Sequence, residues 1–164
     1  MKRKINIKSI RNILLKNGSV YDVLTDKTKK TDILIKNGII KSIGKIDVDE
    51  NIISIDCNNK IITQAFTDIH SHFRIPGNPD KETLHTGAYA AMSGGYTKVC
   101  VMPNTNPVID SPELIKYIID ESHSLPIKIL PIGAITKSQE GKELAEIGLM
   151  VKAGAIAISD DGIP

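Results

Sequence analysis

Four strand-like apolar runs, separated by three stretches with helical spacing, occupy the chain from Ile61 to Ser159, and few folds accept that order. The runs are Ile61 to Ile69, Tyr96 to Met102, Pro126 to Pro131 and Ala155 to Ser159. Between them, Lys81 to Ser93 sets Leu84, Ala88, Ala91 and Met92 at helical intervals, and Gly94-Gly95 closes the stretch as a left-handed cap does. Ser111-Pro112 opens the second helix as N-cap and first-turn proline, with Leu114, Ile115, Ile118 and Ile119 behind them. A third helix is expected over Glu140 to Lys152, followed by Gly154. Strands alternating with helices imply a parallel sheet with right-handed crossovers. The fold class is therefore α/β, and the pattern fits the first four units of a (β/α)8 TIM barrel, with Val99, Val101, Ile129 and Ile156 expected on its inner face.

The rhythm before Thr63 is different. Ile13-Leu14-Leu15-Lys16-Asn17-Gly18 and Asp32-Ile33-Leu34-Ile35-Lys36-Asn37-Gly38 each close an apolar run with Asn-Gly, a strong hairpin signal. Further short runs at Ile39 to Gly44, Ile52 to Ile55 and Lys60 to Ile62 continue the pattern. Two domains follow: a small all-β, sandwich-like domain over 1–62 and an incomplete barrel over 63–164.

At the end of the first barrel strand stand His70 and His72, with Arg74 after them and a loop signal at Pro76-Gly77-Asn78-Pro79. Side chains at i and i+2 of a strand share a face, so both imidazoles are expected to point one way, with Arg74 on the same side. Two imidazoles suit a divalent transition metal without naming it. The ends of the later strands carry Asn104, then Thr136 and Ser138, then Asp160 and Asp161. In a parallel α/β barrel these all fall on the rim where barrel enzymes react. An acidic pair before glycine is ordinarily a solvated turn, but beside a His pair a carboxylate can bridge two cations. Asn104, a plain turn residue by itself, can give and accept hydrogen bonds with an amide substrate.

Composition narrows the remaining classes. Net charge is +2 over 164 residues, and the few aromatic residues are not interleaved with the basic ones, so no nucleic-acid surface is expected. No run approaches the roughly 20 apolar residues of a membrane span. The start Met1-Lys2-Arg3-Lys4 is basic, yet no secretory apolar core follows it. Cys57 and Cys100 lie far apart without metal-knuckle spacing, which suits a reducing, cytoplasmic setting.

Taken in order, D-x-H-x-H-F-R (Asp68 to Arg74), K-E-T (Lys81 to Thr83), G-G-Y-T (Gly94 to Thr97), M-P-N-T (Met102 to Thr105) and S-D-D-G (Ser159 to Gly162) resemble the amino-terminal half of the dihydroorotase family, long bacterial type, in the amidohydrolase superfamily. The resemblance runs from about Ile13 to Pro164. It implies zinc, two ions per site, with His70 and His72 as metal ligands and Asp161 as the bridging carboxylate. It also implies that His72, Arg74 and Asn104 bind a small-molecule substrate, dihydroorotate or N-carbamoyl-L-aspartate, in pyrimidine biosynthesis. The remaining metal ligands and the general-base aspartate are expected beyond residue 164, so these residues alone are expected to be inactive. A homo-oligomer or a complex with aspartate transcarbamoylase is the implied assembly.

The chain departs from the family pattern at Gln64-Ala65, where Pro-Gly is usual, and at Ile75, where an acidic residue is usual. Hydantoinases, dihydropyrimidinases and allantoinase-like cyclic amidohydrolases are the alternative within the superfamily. Of these, hydantoinases and dihydropyrimidinases usually carry a carboxylated lysine at the end of strand four, and Gly154-Ala155-Ile156-Ala157-Ile158-Ser159 has none. A noncatalytic partner of aspartate transcarbamoylase is the alternative outside enzymes, but such a partner is expected to lack H-x-H.

Overall fold

The computed structural model describes residues 12–47 and 52–163, so the basic start and Pro164 lie outside the described residues. The chain divides into two units, Met1–Gln64 and Ala65–Pro164.

The first unit holds β1 (Asn12–Asp22), β2 (Lys27–Lys36), β3 (Ile39–Gly44), β4 (Ile53–Asp56) and β5 (Ile61–Ile62). Among the described residues they form one sheet, ordered β3-β2-β1-β4 with β5 also paired to β1. Asn37-Gly38 makes the expected two-residue hairpin, both residues having positive φ (53° and 75°). Asn17-Gly18 does not turn the chain. β1 runs through it, with a shift of register against β2 between Leu15 and Gly18. The physical reason is that Asn17 is held inside the sheet from both sides: its N–H donates to Asp32 (2.8 Å) and its side-chain amide to Asp56 (3.1 Å). A Cβ at Gly18 would stand 2.3 Å from the tip of the Ile62 side chain of β5, so any larger residue there requires that side chain to shift. The chain reverses after Asp22 instead, whose carboxylate accepts from Thr25 Oγ1 and the Leu24 N–H and is held below its ordinary pKa by those two bonds.

The second unit holds β6 (Phe66–Ser71), α1 (Leu84–Ser93), β7 (Tyr96–Val101), α2 (Pro112–Ser122), β8 (Lys128–Gly133), α3 (Ile147–Ala153) and β9 (Ala157–Ile158). The sheet is parallel throughout, in sequential order β6-β7-β8-β9. That is the expected series of β/α units.

Which face of this sheet meets the helices corrects the expectation. Val99, Val101 and Ile129 belong to one buried cluster with Leu84, Ala88, Ile115, Ile118 and Met150, so they pack under the helices. The opposite face carries Cys100, Met102 and Ile132, with Leu130 against them, and Ile156 is 57% exposed. Alternation separates the two faces, but both are apolar here, and only contact with the helices tells them apart.

Helix ends follow local chemistry. α1 begins later than Lys81 because Thr83 caps it, its hydroxyl accepting the Thr86 N–H while Thr86 accepts the Thr83 N–H. α2 starts as expected, with Ser111 as cap. α3 begins at Ile147, not Glu140. Backbone groups of the segment between bond to the loop after β8 instead of to each other: Gly141 N–H to Thr136 Oγ1, Ala145 N–H to Ile135 O, and Lys137 N–H to Glu143 O. Gly154, at φ 115°, ends α3 in the left-handed conformation.

Candidate metal centre

The two histidines meet through a bulge rather than through simple alternation. Asp68 pairs with Val99 and Ser71 with Val101, so β6 carries one residue more than β7 over this span. The Asp68 carboxylate accepts the His70 N–H (3.0 Å) inside the bulge. His70 lies in the irregular last part of β6 and His72 just beyond the strand, with their Nε2 atoms 3.3 Å apart. The expected convergence is present, by a different backbone route.

Beyond His72 the chain is pinned by packing. Phe73 is buried, and its ring lies on Gly87 of α1 so closely that a Cβ at Gly87 would stand 2.8 Å from it. Arg74 follows with φ 60°, past the end of β6, so strand alternation does not set its direction. It is half-buried, and among the described residues its guanidinium makes no hydrogen bond or ion pair. The loop it opens is tied to the loop after β7: Asn106 N–H donates to Pro76 O (3.1 Å), and Gly77, at φ 106°, lies against the Asn106 backbone where no Cβ would fit.

Asn104 reaches from that second loop to both sides of the site. Its side-chain nitrogen lies 2.7 Å from Asp161 Oδ2, and its side-chain oxygen lies 2.9 Å from His72 Nδ1. An ionised carboxylate only accepts, so the amide NH2 must face Asp161 and the carbonyl must face His72. His72 Nδ1 is then the donor, and the proton-free nitrogen is Nε2, the atom beside His70. This is the arrangement in which a metal-ligating histidine is oriented by a partner on its other nitrogen. Among the described residues, one N–H and one lone pair of the Asn104 amide have no partner.

Asp161 completes the cluster. Its backbone is left-handed (φ 55°), its N–H donates to Ser159 Oγ, and its Oδ1 lies 3.1 Å from His70 Nε2. Asp160 points elsewhere, taking hydrogen bonds from the Ile135 and Thr136 N–H groups and from the Thr136 hydroxyl. Thr136 is therefore buried in that contact, and Ser138 lies on a left-handed turn with its N–H on Asp110. Neither joins the histidines.

His70, His72 and Asp161 each present one ligand atom, all within 4.8 Å of one another. Two imidazole nitrogens and a carboxylate oxygen match the donors of zinc and related divalent ions. Asp161 is well covered and His70 remains open, with side-chain exposures of 17% and 56%, so the cluster is rooted in the protein and accessible from one side. Sequence reasoning missed the support given by Asp68 and the double contact of Asn104. The available signal was position, since both residues flank the end of a buried strand.

The dihydro-orotase-like family matches residues 59–164. The chain is 49% identical over 154 residues to a dihydroorotase of Caldicellulosiruptor saccharolyticus, covering 92% of this chain and 36% of that protein. It is 45% identical to a dihydroorotase of Clostridium acetobutylicum, over 93% of this chain and 36% of that one. The chain thus spans about a third of the length of the curated relatives it matches. Among solved structures, an L-hydantoinase (dihydropyrimidinase) from Arthrobacter aurescens aligns with 89% of the chain and 32% of its own at a TM-score of 0.76 and 22% identity. A crystal structure of a dihydroorotase aligns with 90% of the chain and 42% of its own at a TM-score of 0.56 and 15% identity. These likenesses give the fold of the second unit, the opening β/α units of a TIM barrel. With the family match covering most of the chain and the matched stretch containing the whole His70, His72 and Asp161 cluster, the chain belongs to the dihydro-orotase-like family.

Proposed function

We propose that the polypeptide carrying this chain is a zinc-dependent dihydroorotase, which interconverts dihydroorotate and N-carbamoyl-L-aspartate by opening and closing a ring amide. The single observation behind this reading is the convergence of His70, His72 and Asp161 in a chain 49% identical to a dihydroorotase. In this reading His70, His72 and Asp161 are the residues that would hold zinc. Metal held there would supply Lewis acidity and would lower the pKa of a water bound to it.

The chain's own residues do the rest of what can be assigned. Asn104 keeps the His72 proton on Nδ1 and steadies Asp161, and its spare N–H and lone pair are offered to the substrate. Arg74 supplies a planar fork for the substrate carboxylate, with His72 beside it. The general base, expected to be an aspartate, and further metal ligands belong to later residues, so these 164 residues alone are inactive in this reading. The division into a small β domain over 1–62 and a barrel domain from 63 belongs to the same proposal. So do a cytoplasmic location, a homo-oligomer and a complex with aspartate transcarbamoylase. Among the described residues no helix is long and apolar enough to cross a membrane.

A second reading, another cyclic amide hydrolase, draws on the likeness to the L-hydantoinase structure. The absence of lysine from Ala155 to Ser159 weighs against it, because no carboxylated lysine can form there. The test is turnover of dihydroorotate, hydantoin and dihydrouracil by the intact enzyme. Preference for dihydroorotate is expected, and preference for either of the others would overturn the reading.

A further inference from the structure

The adjacent aspartates do different work, and the geometry points to Asp160 as a positioning residue that clamps the loop after β8 to the end of β9 and so sets the direction of Asp161. Consecutive side chains diverge, so both members of an Asp-Asp pair do not enter one site without distortion. Here the split is complete. Asp160 Oδ1 accepts from Ile135 N–H (2.8 Å) and Thr136 N–H (3.1 Å), and Oδ2 accepts from Thr136 Oγ1 (2.7 Å). The same Thr136 hydroxyl accepts the Gly141 N–H (3.0 Å), which fastens the far side of the loop.

β9 needs such a fastening because its own ladder is short. It pairs with β8 only at Ala157 and Ile158, extended by Ile156 N–H to Pro131 O and Ser159 N–H to Gly133 O. The next residue after that ladder is Asp160, and the residue after it, Asp161, must hold a left-handed φ of 55° to reach His70 and Asn104. For a non-glycine residue that conformation persists only where the surroundings enforce it. Three charge-assisted hydrogen bonds on the preceding side chain, together with Asp161 N–H on Ser159 Oγ, are the enforcing contacts. Asp160 thus acts through Asp161 and does not touch the candidate ligand atoms.

The inference rests on the metal-site reading above, and the test separates the two. In the intact enzyme, zinc affinity by chelator competition and the kcat and KM for dihydroorotate are measured for Asp161→Asn, Asp160→Asn, Thr136→Val and Thr136→Ser. Thr136→Val removes one bond to Asp160 and leaves every candidate ligand in place. Thr136→Val and Asp160→Asn are expected to weaken zinc about 10–100-fold, with lower kcat, little change in KM and recovery in excess zinc, and Thr136→Ser is expected to restore both values. Asp161→Asn is expected to be worse than either. If Asp161→Asn leaves zinc binding unchanged, the metal reading fails. If Asp161→Asn weakens zinc but Thr136→Val does not, the metal reading stands and the clamp is wrong. Thr136→Ser as weak as Thr136→Val would also overturn the clamp, because serine keeps the hydroxyl that bonds Asp160 and the loss would then not follow that hydroxyl.

Discussion

Asn104 Nδ2 stands 2.7 Å from Asp161 Oδ2, and that contact determines which nitrogen of His72 is free. The carboxylate fixes the amide orientation, the amide oxygen then takes the His72 Nδ1 proton at 2.9 Å, and Nε2 is left as a lone pair facing His70. One asparagine from the loop after β7 thereby links the end of β6 to the end of β9.

Removing that link has a definite expectation. Asn104→Ala frees His72 to adopt either tautomer and leaves Asp161 without its amide partner, so zinc affinity is expected to fall about 10–100-fold. Chelator competition reads the affinity, and dihydroorotate KM is expected to rise as well, since the amide also serves the substrate in the proposed reading. Unchanged zinc affinity with a raised KM would confine Asn104 to the substrate.

In the proposed reading, His70→Ala and His72→Ala each take away a nitrogen ligand. Turnover by the intact enzyme is expected to be lost and bound zinc to drop, which elemental analysis after dialysis measures. Normal occupancy and activity in either variant would remove the pair from the site.

Arg74 lies outside the three-residue cluster, so in the proposed reading its substitution separates substrate binding from metal binding. Arg74→Lys keeps the charge but loses the bidentate fork, and is expected to raise the KM for dihydroorotate about tenfold or more with zinc content unchanged. Equal kinetics for wild type and variant would exclude the carboxylate role.

Gly87 connects core packing to the site. An added Cβ would stand 2.8 Å from the buried Phe73 ring, which lies between His72 and Arg74 in the chain. Gly87→Ala is expected to destabilise the intact enzyme by about 1–2 kcal/mol, overpacking outweighing the gain of about 1 kcal/mol in helix propensity. Urea unfolding gives the stability, and a parallel rise in KM is expected as the His72 to Arg74 segment shifts. A variant as stable and active as wild type would show that Phe73 moves aside freely.

Much was legible before any tertiary contact was known. Apolar periodicity and capping residues mark the strands and most of the helices, because those depend on neighbours a few residues away. His70 and His72 could be named, and Asp161 only through the family resemblance, along with a parallel sheet whose strand ends carry all three. The rest depended on groups distant in sequence. Asn17-Gly18 reads like a hairpin turn, but carboxylates from Asp32 and Asp56 hold it in a strand. Glu140 to Glu146 reads as helix, but the loop after β8 captures its backbone N–H and C=O groups. Val99 and Cys100 are both apolar neighbours on one strand, and only the helices packed over Val99 say which face is inward. The two aspartates at 160 and 161 are chemically the same in sequence. Which one turns to the histidines was decided by the backbone N–H groups of Ile135 and Thr136, which draw one carboxylate away and leave the other to the site.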